Sequence, residues 1–234
     1  MIPMKTESAW RGTADCKACG IRDLVLFADL NAHDFGLIHA PIDDLEFSAG
    51  AYLFTEGGAA KGVFTLRHGM VKLVRSTIDG RPRIVRVLRA GDVVGLEILA
   101  GAQYDCDAVT LTPVSVCRIP LDVIQKLSLS SPRLHSQLMK KWQHALKDAD
   151  DWLADMNFGT ARRRVGNLVL KMCSAENSEI SMLFSREDMG AMLDLKLETV
   201  SREISRLVRG GVIKQLDKQG RIYRVIHSDQ LKAD

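Results

Sequence analysis

At 234 residues, 46% hydrophobic and 26% charged, the chain has the composition of an ordinary globular protein and room for one large domain or two modest ones. No apolar run approaches the roughly 18 residues a membrane-spanning helix needs, and the opening MIPMKTESAWRGTADCKACG lacks the apolar core of a secretory signal, so a membrane or exported protein is excluded and the cytoplasm is expected. The net charge of +3 is unevenly placed: residues 158–234 carry 14 Lys and Arg against 10 Asp and Glu, whereas the rest carries 18 against 19. A basic C-terminal module on a near-neutral body suits contact with a polyanion.

Residues 1–20 read as a polar N-terminal arm holding Cys16-x-x-Cys19. The odd total of five cysteines (16, 19, 106, 117 and 173) in a reducing compartment argues for free thiols or metal ligands over a disulfide framework. Residues 21–120 form the next segment. From about Leu45 to Pro120 short β-rich runs such as GVFTLRHG, MVKLVRS and RIVRVLRAG are punctuated by Gly57, Gly69, Gly80 and Gly91 every 11 or 12 residues. That is the strand-and-turn rhythm of an antiparallel sandwich or barrel, here a β-roll.

After Pro120 the period changes. Leu134, Leu138, Trp142, Ala145, Ala149, Trp152 and Met156 recur at steps of 3 or 4, the a/d seam of a long helix within residues 121–157. A helix packed on its own β-domain would show the same spacing. A helix this long with so narrow a seam pairs more often with its twin, so a parallel coiled-coil homodimer interface is expected.

Residues 158–234 hold helices, a turn and a hairpin. An amphipathic helix over 160–173 faces Val165, Leu168, Val169 and Met172 inward. Ser185-Arg186-Glu187-Asp188 is a variant capping box that opens a second helix through Leu193. A turn at Asp194-Leu195 leads to a third helix from Leu197 to Val208 or Arg209, stopped by Gly210-Gly211. Val212 to Leu216, the Lys218-Gln219-Gly220 turn and Arg221 to Ile226 make a β-hairpin wing. The whole is an α+β chain ending in a winged helix-turn-helix.

A helix-turn-helix lays its second helix in the major groove of double-stranded DNA. Helical spacing predicts an exposed face of Glu198, Thr199, Ser201, Arg202, Ser205 and Arg206, and a buried face of Leu197, Val200, Ile204, Leu207 and Val208. Arginine can grip guanine O6 and N7 with two hydrogen bonds, glutamate can accept from cytosine N4, and serine can serve either way. Lys196, Arg206 and Lys214 are candidates for phosphate contacts, with Ser185 at the start of the preceding helix added to the DNA-binding set. A solvated helix face would carry similar residues, since a Glu–Arg pair four apart also supports an exposed helix.

In this order, β-roll, long helix and winged helix-turn-helix resemble the CRP/FNR superfamily of transcription regulators over nearly the whole chain. Glu198-Thr199-Val200-Ser201-Arg202 is similar to the Glu-x-x-Ser-Arg pattern of its FNR branch, whereas the cyclic-AMP receptor branch has Arg before the Glu and Gly in place of Ser201. The resemblance implies that Glu198, Ser201 and Arg202 read palindromic sites with TTGAT-like half-sites, and that the bound protein touches RNA polymerase. Asp194 and Lys196 stand where the family usually has Gly at the turn and Thr or Ser at the helix cap.

Three effector readings stay open. Members that bind a cyclic nucleotide hold its phosphate with a Gly-Glu segment and an Arg-Ser/Thr-Ala segment. Here Gly95-Leu96-Glu97 is followed by Ala102-Gln103-Tyr104-Asp105-Cys106-Asp107-Ala108, which offers no arginine and two repelling carboxylates, so cyclic AMP is not expected. The FNR branch implies an iron–sulfur cluster that senses oxygen or nitric oxide, matched here by Cys16, Cys19 and Cys117. Val25 replaces that branch's further N-terminal cysteine, three thiolates fall short of the usual four, and Cys106 is a candidate for the fourth. The same thiols suit packing at Cys117, a dithiol switch in the arm, or zinc lacking a second ligand pair. Haem or a small organic ligand in the β-roll is the third reading, although the six histidines show no ligand spacing, and a regulator with no ligand remains alongside it. No Walker A loop, nucleophile elbow or HExxH pattern is present, so no enzyme is expected. A β-roll signalling module whose C-terminal domain binds protein is the rival from another class.

Overall fold

The computed structural model describes residues 26–27, 33, 42–173 and 177–232. They belong to two compact units, Met1–Arg75 with Val87–Leu146, and Ser76–Arg86 with Lys147–Asp234.

Eight strands build the N-terminal part: β1 (Asp43–Phe47), β2 (Tyr52–Phe54), β3 (Gly62–His68), β4 (Val71–Ser76), β5 (Pro82–Leu88), β6 (Val93–Val94), β7 (Asp107–Thr110) and β8 (Val114–Pro120). They form two four-stranded sheets ordered β1-β8-β3-β6 and β2-β7-β4-β5. Strand β8 pairs antiparallel with both β1 and β3, with Leu45 opposite Val116 and Leu66 opposite the same Val116, so inward residues of three strands meet in one layer. Val63, Leu66, Val71, Leu73, Val114 and Val116 belong to the buried cluster that fills the roll. The evenly spaced glycines fall between these strands. At Gly69 the backbone has φ +86°, and a Cβ there would sit 2.3 Å from the Pro113 carbonyl oxygen, so no other residue closes this turn cheaply.

The segment predicted as one helical region resolves into two helices. The first, α1 (Leu121–Ser130), buries Val123, Ile124 and Leu127 on the roll. Ser131 then leaves the helical region at φ −122° and ψ 106°, because Pro132 crowds the residue before it out of the α conformation. Pro132 opens the second, α2 (Pro132–Met156), where its missing N–H costs nothing, and Ser131 Oγ accepts from the Leu134 N–H at 3.3 Å.

Along α2 the predicted seam is largely used within the chain. Leu134 and Leu138 are buried in the β-roll core with Ala145 packed beside them, while Trp152 and Met156 are buried within the C-terminal unit. The Trp152 indole N–H donates to Asp148 at 3.1 Å, and Lys171 Nζ lies 5.3 Å from the centre of its ring. Of the seven seam residues only Trp142 is classed as exposed; Ala149 is half-buried. A second apolar row, Met139, Trp142, Leu146 and Leu153, is exposed, again at heptad steps once Ala149 is included, and it shares Trp142 and Ala149 with the predicted seam. Two apolar rows share this helix, and the sequence reading crossed from one to the other.

The C-terminal module comprises α3 (Ala161–Lys171), β9 (Ile180–Met182), α4 (Arg186–Leu193), α5 (Leu197–Arg209), β10 (Ile213–Gln215) and β11 (Ile222–Val225). Its small sheet runs β10-β11-β9, antiparallel throughout. Val165, Leu168, Val169, Leu193, Val200, Ile204, Leu207 and Tyr223 are all buried. Among the described residues no helix is long and apolar enough to cross a membrane.

Candidate nucleic-acid interface

Local chemistry fixes both ends of α4. Ser185 Oγ accepts from the Asp188 N–H at 3.0 Å and donates to Asp188 Oδ2 at 2.8 Å, so cap and first-turn carboxylate hold each other. Ser185 is half-buried in this role. At the other end Asp194 adopts φ 54° and ψ 47°, the left-handed geometry an Asp tolerates and the turn requires. The tight reversal also depends on Gly190, which the sequence reading passed over: a Cβ there would stand 2.6 Å from the Leu195 carbonyl oxygen. The close approach of α4 to the turn therefore rests on a glycine inside the helix and an aspartate at the turn.

α5 is presented by that turn. Lys196 caps it without a side-chain hydrogen bond, as its side chain has no acceptor to offer. Lys196, Glu198, Arg202, Ser205 and Arg206 are exposed, and Thr199 and Ser201 are half-buried. The structure departs from the sequence reading at several positions, and Val208, expected inside, is half-buried. Leu197, expected inside, is 47% exposed: it heads the row that runs on through Val200, Ile204 and Leu207, but it is the first residue of the helix. Glu203, unassigned in the sequence reading, is 5% exposed. Its place, three after Val200 and four before Leu207, put it on the buried row; its charge masked that signal.

The hairpin of β10 and β11 exposes Lys214, Lys218, Arg221 and Arg224. Its turn is held by Asp217 Oδ1, which accepts from the N–H groups of Arg221 and Ile222, each at 2.9 Å. The Ile222 N–H and its neighbours hold this exposed carboxyl below the ordinary aspartate range. Arg186 Nη2 donates to the Tyr223 hydroxyl at 2.7 Å and fastens α4 to the wing. Together these elements present a helix with exposed cations and a hairpin with exposed Lys214, Lys218, Arg221 and Arg224.

In the β-roll, the two segments that would hold a cyclic phosphate are spanned by aromatic rings. Tyr104 stacks on Phe54 with centroids 3.7 Å apart and planes 8° from parallel. Its hydroxyl donates to the Gly62 carbonyl at 2.6 Å, and burial raises its pKa above the ordinary tyrosine value. A Cβ on Gly95 would meet Tyr104 at 3.1 Å and Phe54 at 3.4 Å, so the glycine of the Gly-Glu segment already touches this stack. Asp107 Oδ1 accepts from the Glu56 N–H at 2.8 Å, leaving a carboxylate where an anion would need a cation. These residues do not fit a cyclic nucleotide.

Of the predicted cluster ligands, Cys16 and Cys19 lie outside the described residues. Cys117 is half-buried on β8, opposite Asp44 on β1 and Thr65 on β3, and packs against the roll's core; Cys106 is buried in that core. Among the described residues no group of three or more His, Cys, Asp or Glu could hold a metal ion. Of the matched three, Cys117 is the one among the described residues.

Comparison with known proteins agrees with this architecture. Residues 44–131 match the cyclic nucleotide-binding domain family and residues 163–233 the Crp-like helix-turn-helix domain family. The transcriptional activator protein Anr of Pseudomonas aeruginosa is 28% identical over 229 residues, 94% of this chain and 92% of that protein. The fumarate and nitrate reduction regulatory protein of Escherichia coli is 25% identical over 85% of this chain and 82% of its own length. The solved structure of FixK2 from Bradyrhizobium japonicum superposes with TM-score 0.72 at 25% identity, covering 81% of this chain and 95% of that one. A cyclic-nucleotide-type β-roll followed by a Crp-like helix-turn-helix defines a DNA-binding transcription regulator. The chain belongs to the CRP/FNR superfamily, and the relatives named here place it beside the FNR branch.

Proposed function

We propose that this regulator acts as a cytoplasmic homodimer that reads a palindromic, FNR-like DNA site with α5 of each subunit, in response to a redox, oxygen or nitric oxide signal, and contacts RNA polymerase from that site. The observation that carries the reading is the division of α5: Val200, Ile204 and Leu207 are buried while Glu198 and Arg202 stand exposed on the opposite side, with Ser201 at its edge. Glu198 accepts from cytosine N4 and Arg202 grips guanine, while Lys196 and Lys214 sit on phosphates and fix register. The unused apolar row Met139, Trp142, Leu146 and Leu153 supports pairing of two α2 helices. A symmetric pair would then set two recognition helices about one DNA turn, roughly 34 Å, apart.

The redox part of the reading is supported by similarity to Anr and to the fumarate and nitrate reduction regulator, and by the aromatic stack that fills the cyclic-nucleotide segments of the roll. The test is binding of a labelled duplex carrying an inverted repeat of TTGAT half-sites. Arg202→Ala is expected to cost about 1–3 kcal/mol per half-site and to relax preference at its base pair, with the dimer intact. An Arg202→Ala protein that still selects the repeat as the wild type does would refute the placement of the recognition helix.

A further inference from the structure

Glu203 is the one acidic side chain on the inner row of α5, a row otherwise made of Val200, Ile204 and Leu207. Its side chain is 7% exposed, and Oε1 accepts from Arg206 Nη1 at 2.6 Å, while Arg206 itself is 53% exposed. Glu203 Oε2 is buried with no hydrogen-bond partner among the described residues. A buried carboxylate is costly unless paired, so the guanidinium of Arg206 is held where the pairing is made and is not free to sweep the surface. Arg206 lies one helical turn beyond Arg202 on the exposed face, so the carboxylate beneath the helix governs a cation on its DNA-facing side.

We infer that Glu203 is a positioning residue that holds Arg206 for the fitted DNA site and cancels the charge that would otherwise draw it to any phosphate. This rests on the reading of α5 as the recognition helix. A free arginine releases counterions from DNA of every sequence and so strengthens non-specific binding as much as specific binding. An arginine paired to a buried carboxylate is close to neutral at a distance. In the fitted complex its remaining N–H groups are already aimed, and the planar fork loses little freedom on making its contact. The pair therefore widens the gap between the right site and the rest of the DNA, which is the quantity a regulator needs.

The experiment compares full-length wild type, Glu203→Gln, Glu203→Leu, Arg206→Gln and Glu203→Gln/Arg206→Gln. Each is titrated with a duplex bearing the TTGAT inverted repeat and with a scrambled duplex, over a range of salt. The nearly isosteric Glu203→Gln removes the charge, and Glu203→Leu supplies an apolar filler should the amide disturb the fold. Both are expected to raise scrambled-duplex affinity, steepen its salt dependence, and lower the specific-to-scrambled ratio by about tenfold, the scale of a charged hydrogen bond. In the Arg206→Gln background the same change is expected to move the ratio by less than about twofold, since the partner it acts through is gone. A merely structural role would lower both affinities together and leave the salt dependence unchanged. The inference is overturned if both Glu203 variants keep the wild-type ratio within about twofold, or if the ratio falls equally without Arg206. A wild type that binds both duplexes alike would overturn the recognition-helix reading, and this inference with it.

Discussion

Gly190 and Gly166 show how much of a DNA-binding module hangs on the absence of a side chain. A Cβ at Gly190 would come within 2.6 Å of the Leu195 carbonyl oxygen, and one at Gly166 within 2.0 Å of the Leu231 carbonyl oxygen, both backbone atoms with little freedom to retreat. Gly190→Ala is therefore expected to destabilise the module by about 1–3 kcal/mol, read as a fall in the urea midpoint. The turn itself carries Asp194 in place of a glycine. The turn is satisfied there by aspartate in the left-handed region, and the glycine lies one helical turn earlier, where only the packed structure reveals the close approach. Asp217 gives a second residue-scale prediction. The wing's N–H groups hold its folded pKa below the ordinary aspartate value, so its contribution is full above that value and is lost as pH falls through the folded pKa. The protection of the Arg221 and Ile222 amides, corrected for their intrinsic exchange rates, is expected to fall as pH drops below about 3.9, and Asp217→Asn should lack that acid step.

At the scale of elements, the β-roll and the helix-turn-helix were legible because each carries one unambiguous period: glycine-punctuated alternation in the first, a capped pair of amphipathic helices in the second. The helix α2 was less so. It bears two apolar rows, one through Leu134, Leu138 and Ala145 that faces the chain's own core, and one through Met139, Trp142, Leu146 and Leu153 that does not. Spacing alone cannot say which row a domain uses, since both repeat every three or four residues. The two rows predict separable phenotypes. Leu134→Ala removes a fully buried side chain and should cost about 2–5 kcal/mol of β-roll stability. Leu146→Glu changes a side chain that is 66% exposed, so the fold should survive while light scattering reports a shift from dimer to monomer and palindrome binding is lost. A Leu146→Glu protein that stays dimeric would move the interface off this row.

For the molecule as a whole, the question is what the β-roll reports to the DNA-binding module. The stack of Tyr104 on Phe54, tied by the tyrosine hydroxyl to Gly62, occupies the segments a cyclic phosphate would need, and Asp107 adds a carboxylate there. The proposed redox signal would act through the chain's cysteines. Cys117 sits half-buried on β8, between two strands paired with it. The discriminating measurement is iron and acid-labile sulfide content, with a visible spectrum, on protein purified without oxygen. If the redox reading holds, the protein carries both elements in fixed proportion, air bleaches the spectrum and weakens palindrome binding, and Cys117→Ala lowers the load while leaving the urea midpoint near that of the wild type. The stability readout separates the two roles of the thiol: a cysteine that only fills the core would shift the midpoint when truncated and leave redox-dependent DNA binding untouched. Because Val25 stands where the FNR branch has a cysteine, a loaded cluster would also require a fourth ligand from elsewhere in the chain. Cys106 is the first variant to make, and loss of iron on Cys106→Ala with the fold retained would identify it.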